Sequence, residues 1–254
     1  MNHQSIRRAT AALAAGGLAV TGMLAAAPGA WAAEGQDGQQ VGASTLSRLV
    51  ALNPGVTKRS MLQAIEAEAK ASGLPASRVA AAVLAEAESS AAESAEVRPN
   101  TSSSGGSGTA TLGSGRYKGD VFYSPASTLF VNHGHSGIFY TTATIVHAPG
   151  SGQVSRSGSA SAMNVASGAQ KQYVTASQTE RNTAANYAYN NLRDRPYNSN
   201  FAFNRKNSNE VNCSQLVWLA YRETSGRDLD SNAGTGVYPA NIRDSQYTTT
   251  YQTL

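Results

Sequence analysis

The sequence predicts an α+β protein, and three features of the chain support this prediction. A helical region comes first, short segments rich in β-branched and aromatic residues follow between residues 116 and 175, and two helical segments come after them. Strands that precede helices, without regular alternation of the two, favour separate sheet and helix layers. The length of 254 residues allows one large domain, or a smaller domain with an additional region.

The composition excludes several classes of protein. The formal net charge is +4 without runs of Lys or Arg, which is not the pattern of a nucleic-acid binder. The single cysteine, Cys213, excludes a disulfide framework and a Cys-rich zinc site. Hydrophobic residues make up 41% of the chain, enough for a core but few for a membrane protein. We therefore expect a monomer with no nucleic-acid partner and no membrane span.

Residues 1–32 have the pattern of a cleaved export signal. Arg7 and Arg8 precede the apolar stretch 11–27, and residues 30–32 form a small-x-small cleavage site. The alternative is an N-terminal membrane anchor, for which the apolar stretch is short and interrupted by glycine. We therefore expect a secreted protein, which can associate with the cell wall.

Residues 33–98 form the predicted helical region. A first helix begins near Ser44, Thr57 caps a second helix that ends at Gly73, and a third covers about 76–96. A pro-region, a docking module and a spacer all remain open as roles for this region.

The segment 99–115 consists mostly of Gly, Ser and Thr, and it predicts a flexible linker. Residues 116–254 then form the domain in which we expect the chemistry. Within it, β-branched and aromatic runs predict strands, and apolar spacing predicts helices. The predicted strands are 120–123, 136–140, 143–147, 153–155 and 171–175, and the predicted helices are 179–192 and 213–224.

Cys213 is the candidate nucleophile. Asn212 is a favourable N-cap, so it places Cys213 in the first turn of a helix, where the helix dipole favours the thiolate. A thiolate is a strong nucleophile. The alternative is a buried structural cysteine, because Cys also packs as a small hydrophobic residue.

The histidines supply a candidate base. His135 begins one predicted strand and His147 ends the next, so a turn near 141–142 places them nearly opposite each other. One imidazole can then act as the base for the thiol, and the other can hold its tautomer. In one alternative, His133 joins these two histidines in a three-His zinc site. In another, the histidines are only polar residues at strand ends.

Several short segments together resemble the NlpC-type cell-wall amidases, which are papain-like. The segments that carry the resemblance are 119–122 (Gly-Asp-Val-Phe), 135–138 (His-Ser-Gly-Ile), 145–149 (Ile-Val-His-Ala-Pro), 195–198 (Arg-Pro-Tyr-Asn) and 212–217 (Asn-Cys-Ser-Gln-Leu-Val). The strands precede the cysteine helix here, which is similar to the circularly permuted, YiiX-like branch. Segments 226–229 and 237–242 also resemble that branch, and the resemblance covers about 116–245.

The resemblance implies a permuted papain-like domain with an antiparallel sheet packed on helices. It implies that Cys213 is the nucleophile, His135 the general base and acid, and His147 the orienting third residue. It also implies that Tyr197, Asn212 and Ser214 line the substrate site. Aspartate is usual before the cysteine in the family, and Asn212 cannot offer its charge to a substrate amine.

We expect an exported cysteine amidase or endopeptidase that cleaves peptidoglycan peptides through a Cys-His-His triad and a thioester. It needs no cofactor and no metal. One alternative is a lipid-directed acyltransferase or amidase that uses the same thiol. The others are a three-His zinc module and a binding module without catalysis.

Overall fold

The computed structural model describes residues 40–96, 109–125 and 133–254. The predicted export signal and residues 99–108 of the predicted linker lie outside these residues. Within them, no helix combines the length and the apolar character that crossing a membrane requires.

The helical region contains three helices that lie where the sequence predicts them. They are α1 (Ala43–Leu52), α2 (Lys58–Ser72) and α3 (Ala76–Glu96). The Thr57 side chain accepts the backbone N–H of Ser60 and thereby caps α2, which ends at Gly73 in the left-handed conformation (φ 70°). Apolar side chains from the three helices form one cluster, whose buried members include Leu49, Met61, Ile65, Val79 and Val83.

The described part of the remaining chain forms two antiparallel sheets and three helices. The strands are β1 (Thr109–Thr111), β2 (Val121–Ser124), β3 (His135–Phe139), β4 (Thr144–His147), β5 (Arg156–Ser159), β6 (Asn164–Ala166), β7 (Gln170–Val174) and β8 (Thr248–Thr253). The larger sheet has the order β5-β4-β3-β2-β7-β8, and β1 pairs with β6 in the smaller one. The helices are α4 (Gln178–Asn191), α5 (Cys213–Ser225) and α6 (Pro239–Arg243).

The two faces of the larger sheet are covered by different layers. Val121, Ile138 and Val146 share a core with apolar residues of α4 and α5, including Ala184, Ala185, Leu216 and Val217. Their strand neighbours Phe122, Phe139 and Ile145 share a second core with Leu112 and with Val165 of the smaller sheet. This alternation follows from the two-residue period of a strand. The protein is therefore α+β, with an antiparallel sheet packed on helices, as the sequence predicts.

The structure differs from the predicted elements at the edges. Residues 109–115, which the sequence assigns to the linker, include β1, and Leu112 among them is fully buried. The predicted strand 153–155 contributes only an isolated bridge at Val154, and β5 begins at Arg156. The strands β1, β6 and β8 are absent from the prediction.

Candidate active site

Cys213 is the first residue of α5, and a reciprocal pair of hydrogen bonds fixes this helix start. The Asn212 side chain accepts the backbone N–H of Gln215 at 3.0 Å, and the Gln215 side chain accepts the backbone N–H of Asn212 at 3.2 Å. The thiol therefore lies in the first helical turn, as predicted, where the helix dipole favours the thiolate.

Burial opposes this effect of the helix dipole. The Cys213 side chain is fully buried, and burial raises the pKa of its thiol to about 11. The nearby backbone N–H groups of Ser136, Ser214 and Cys213 itself lower this pKa, but less than burial raises it. In the arrangement described here the thiol is therefore protonated at neutral pH.

His135 and His147 form a direct pair. His135 Nε2 and His147 Nδ1 are 3.0 Å apart, and the two rings are nearly perpendicular, at 80°. Burial lowers the pKa of both imidazoles, that of His147 to about 4, so both are neutral at pH 7. One of the two facing nitrogens therefore carries the hydrogen and the other accepts it. His135 Nδ1 makes no hydrogen bond to any residue in the described part of the chain.

The sequence predicts that the two histidines lie nearly opposite each other, and the pairing of β3 with β4 shows where they lie. Ile138 pairs with Val146, so in this register His147 lies opposite Gly137 and not opposite His135. The two histidines are diagonal neighbours on one sheet face, and their side chains are long enough to meet. Gly137, which lies between them in this register, has no room for a side chain, because a Cβ there would lie 2.5 Å from the Phe122 ring.

Cys213 contacts the same strand at Ser136, the residue that follows His135 in the sequence. The paired part of β3 and β4 ends at Ile138 and Val146, and beyond it the backbone N–H and the side chain of Ser136 interact with the thiol. Within the described residues, no hydrogen bond links the Cys213 sulfur to either imidazole of the pair. The structure thus brings the two histidines together and places the thiol one residue along the strand. Catalytic hydrogen bonds are often long in the absence of substrate.

The predicted substrate-binding residues occupy two kinds of position. Tyr197 is half-buried and close enough to Cys213 for a negative thiolate to raise the pKa of its phenol, in addition to the effect of burial. Asn212 and Ser214 are fully buried, and the Ser214 hydroxyl donates to the Val237 carbonyl at 2.7 Å. Asn212 and Ser214 hold the start of α5 in place, and their contact with substrate stays a prediction.

His133 is directed away from the histidine pair. Its Nε2 lies 2.6 Å from the Leu52 carbonyl oxygen, and its ring contacts those of Phe201 and Tyr238. Among residues 40–96, 109–125 and 133–254, no three His, Cys, Asp or Glu side chains are arranged to hold a metal ion. The three histidines of the zinc alternative therefore do not converge.

The sequence does not predict the layer that covers Cys213. The thiol belongs to a cluster of buried side chains that joins the helical region to the rest of the chain. Its members are Leu52 of α1, Ala87 of α3, Phe201 and Tyr238, with the half-buried Leu84, Ala91 and Tyr197 packed against them. A separate surface groove of about 380 Å³, lined by α2 and by residues such as Phe203 and Thr235, contains none of the predicted site residues.

Comparison with known proteins gives one relative of similar sequence. The chain is similar to the uncharacterized protein YycO of Bacillus subtilis (strain 168), with 38% identity over 152 residues, or 59% of this chain and 61% of YycO. The chain thus spans about 61% of the length of this curated relative. No family model matches the sequence. No solved structure matches the chain.

Proposed function

We propose that the chain is an exported cysteine amidase or endopeptidase of papain-like, permuted NlpC-type fold, and that it cleaves amide bonds in peptidoglycan peptides. The observation that carries this proposal is the 3.0 Å contact between His135 and His147, together with a cysteine at a helix start whose thiol interacts with Ser136, the residue after His135. Acyl transfer through a thiol needs a nucleophile, a base and a group that orients the base.

The reaction begins with proton transfer from the thiol to His135. For His135 Nδ1 to accept this proton, Nε2 must carry the hydrogen and donate it to His147 Nδ1. The thiolate then attacks the amide carbonyl carbon and forms a C–S bond. The backbone N–H of Cys213 is the candidate donor to the oxyanion that develops.

The second half of the reaction returns the enzyme to its starting state. The imidazolium of His135 gives its proton to the amide nitrogen, the C–N bond breaks, and the amine leaves. His135 then takes a proton from water, whose oxygen attacks the thioester. The C–S bond breaks, a carboxylic acid leaves, and the thiol regains its proton.

Peptidoglycan is the proposed substrate because the export signal and the NlpC-type segments point to the same compartment. The apolar neighbours of Cys213 favour a second candidate, the lipid-directed acyltransferase or amidase. Phe201 and Tyr238 belong to the part of the chain that carries the sheet, and both are buried in the cluster around the thiol.

A digestion experiment tests the proposal. The full chain and its Cys213→Ala variant are incubated with purified peptidoglycan and its soluble peptides, and mass spectrometry identifies new fragments. Because Leu52 and Ala87 cover the thiol, the comparison includes Asn53→Ala, which is expected to loosen this cover. Fragments that require Cys213 support the proposal and identify the bond. An uncovered, reactive thiol that releases no fragment contradicts it, and lipid and ester substrates are then tested.

A further inference from the structure

The end of α1 offers two amide carbonyl groups to the region around Cys213. The backbone carbonyl of Leu52 accepts a hydrogen bond from His133 Nε2 at 2.6 Å. The side-chain carbonyl of Asn53 accepts the backbone N–H groups of Phe201 at 3.0 Å and Ala202 at 3.3 Å. All three donors belong to the part of the chain that carries the sheet, and both acceptors belong to the helical region.

The donors and the thiol share two aromatic neighbours, Phe201 and Tyr238. The His133 ring is 5.5 Å from the Phe201 ring and 4.8 Å from the Tyr238 ring, measured between centroids. Phe201 and Tyr238 are members of the cluster that contains Cys213. The carbonyl groups of Leu52 and Asn53 therefore bind residues that belong to, or contact, the cluster around the candidate nucleophile.

The three hydrogen-bond donors, His133 Nε2 and two backbone N–H groups, are uncharged and therefore favour a neutral acceptor. A carbonyl oxygen only accepts hydrogen bonds, so His133 Nε2 carries a hydrogen. Burial lowers the pKa of His133 to about 4, so the ring stays uncharged at neutral pH. Two backbone N–H groups and a neutral imidazole suit an amide carbonyl, because a carboxylate buried there without a cation would be costly.

Two buried polar atoms at this interface, His133 Nδ1 and the Tyr238 hydroxyl oxygen, have no hydrogen-bond partner among the described residues. His133 Nδ1 is buried and makes no hydrogen bond to the described residues, although a buried acceptor without a partner is costly. This atom can accept an N–H when a peptide replaces α1 at this position.

We propose that His133 Nε2 and the backbone N–H groups of Phe201 and Ala202 form a subsite for amide carbonyl groups of the substrate, and that the carbonyl groups of Leu52 and Asn53 occupy this subsite in cis. The substrate assignment rests on the proposed amidase function, while the occupancy by α1 does not. The helical region then acts as an intramolecular competitor. The same helices supply Leu52 and Ala87 to the cover over the thiol, so substrate binding requires their displacement.

The first test measures how fast iodoacetamide alkylates Cys213 in the full chain. Cys213 is the single cysteine, so labelling is unambiguous. Asn53→Ala removes the acceptor for two N–H groups, and we expect alkylation about tenfold faster than in the wild type. The control is Thr57→Ala, which removes the cap of α2 and is expected to change the rate less than twofold. Equal rates in all three proteins, or equal acceleration in both variants, overturn the proposal.

The second test restores the missing group. Acetamide carries the same carboxamide as the Asn53 side chain, so it should slow the alkylation of Asn53→Ala severalfold and leave the wild type unchanged. Acetate should act more weakly, because it brings a charge to neutral donors. No effect of acetamide on a variant whose circular dichroism is that of the wild type overturns the subsite.

Both measurements are independent of hydrolysis, so the two proposals can fail separately. Faster labelling that acetamide reverses supports the subsite even when Asn53→Ala cuts no peptidoglycan, and that result contradicts the proposed function alone. Cys213-dependent fragments without any effect of Asn53→Ala or acetamide on labelling support the proposed function and contradict the subsite.

Discussion

At the residue scale, the hydrogen between His135 and His147 determines which imidazole nitrogen is free to accept a proton. His147→Ala removes the partner of His135 Nε2, so the neutral ring no longer favours the tautomer with a bare Nδ1. We expect fragment release to fall about a hundredfold, and His147→Gln, which keeps an acceptor, to recover part of it. The pH profile of the rate of fragment release shows whether His147 positions the His135 ring or only packs against it.

A positioning role predicts that the acid limb of this profile moves in His147→Ala and returns toward the wild-type position in His147→Gln. Two variants with equal rates and unchanged profiles would mean that His147 only fills space. His135→Ala is the reference for complete loss of the base.

The local parts of the site could be predicted from the sequence because they depend on short-range rules. An N-cap side chain followed three residues later by Gln215 marks the start of α5, and the thiol position follows from it. The meeting of His135 and His147 follows from two strands joined by a short turn. The contacts of Leu52 and Asn53 with the site could not be predicted, because they join residues more than eighty positions apart.

At the element scale, β3 depends on a glycine whose neighbours leave no room for a side chain. A Cβ at Gly137 would lie 2.5 Å from the Phe122 ring and 2.9 Å from the Val146 carbonyl oxygen. We expect Gly137→Ala to lower the free energy of unfolding by about 1–3 kcal/mol and to disturb the adjacent His135. Urea denaturation measures the change.

The matched control is Gly158 in β5, where an added Cβ would meet no atom within 4 Å. Gly158→Ala should change the free energy of unfolding by less than about 0.5 kcal/mol. Equal destabilisation by both variants would mean that the loss of stability comes from replacing any glycine in a strand, and not from the crowding at Gly137.

The central strands could be predicted and the edge strands could not, for a physical reason. β2, β3 and β4 are buried, and each contains a run of apolar, aromatic or β-branched residues. β5 and β8 lie at the two edges and are polar and largely exposed, so they lack this signal. The register of β3 against β4 was also outside the prediction, because a shift of two residues leaves every side chain on the same face.

At the scale of the whole molecule, buried and partly buried polar contacts join the helical region to the part of the chain that carries the sheet. The Ser94 hydroxyl donates to the His133 carbonyl at 2.8 Å, and the Glu86 carboxylate accepts the backbone N–H groups of Thr235 and Gly236. The described residues between 40 and 254 accordingly belong to one compact unit. Glu86 makes the stability of this unit dependent on pH.

Burial, together with the charge of Asp230, raises the pKa of Glu86 to about 7, although the backbone N–H groups of Thr235 and Gly236 oppose the rise. A carboxyl whose pKa is higher in the folded state binds its proton more tightly there than in the unfolded chain. The contribution of Glu86 to stability is therefore greatest at low pH, falls as the pH rises from 4.5 to about 7, and is constant above. The full change corresponds to at most about 3 kcal/mol.

Glu86→Gln removes this titration. We therefore expect the free energy of unfolding of Glu86→Gln to increase relative to that of the wild type as the pH rises from 5 to 8. Urea denaturation at several pH values measures the difference between the two proteins. The buried histidines, whose lowered pKa values cause stability to fall as the pH drops below 6.5, are common to both proteins and cancel. The control is Glu88→Gln on the same helix, because Glu88 is exposed in an ion pair with Arg48 and contributes little. If the curves of wild type and Glu86→Gln run parallel, Glu86 does not couple the contact between the helices and the sheet region to pH.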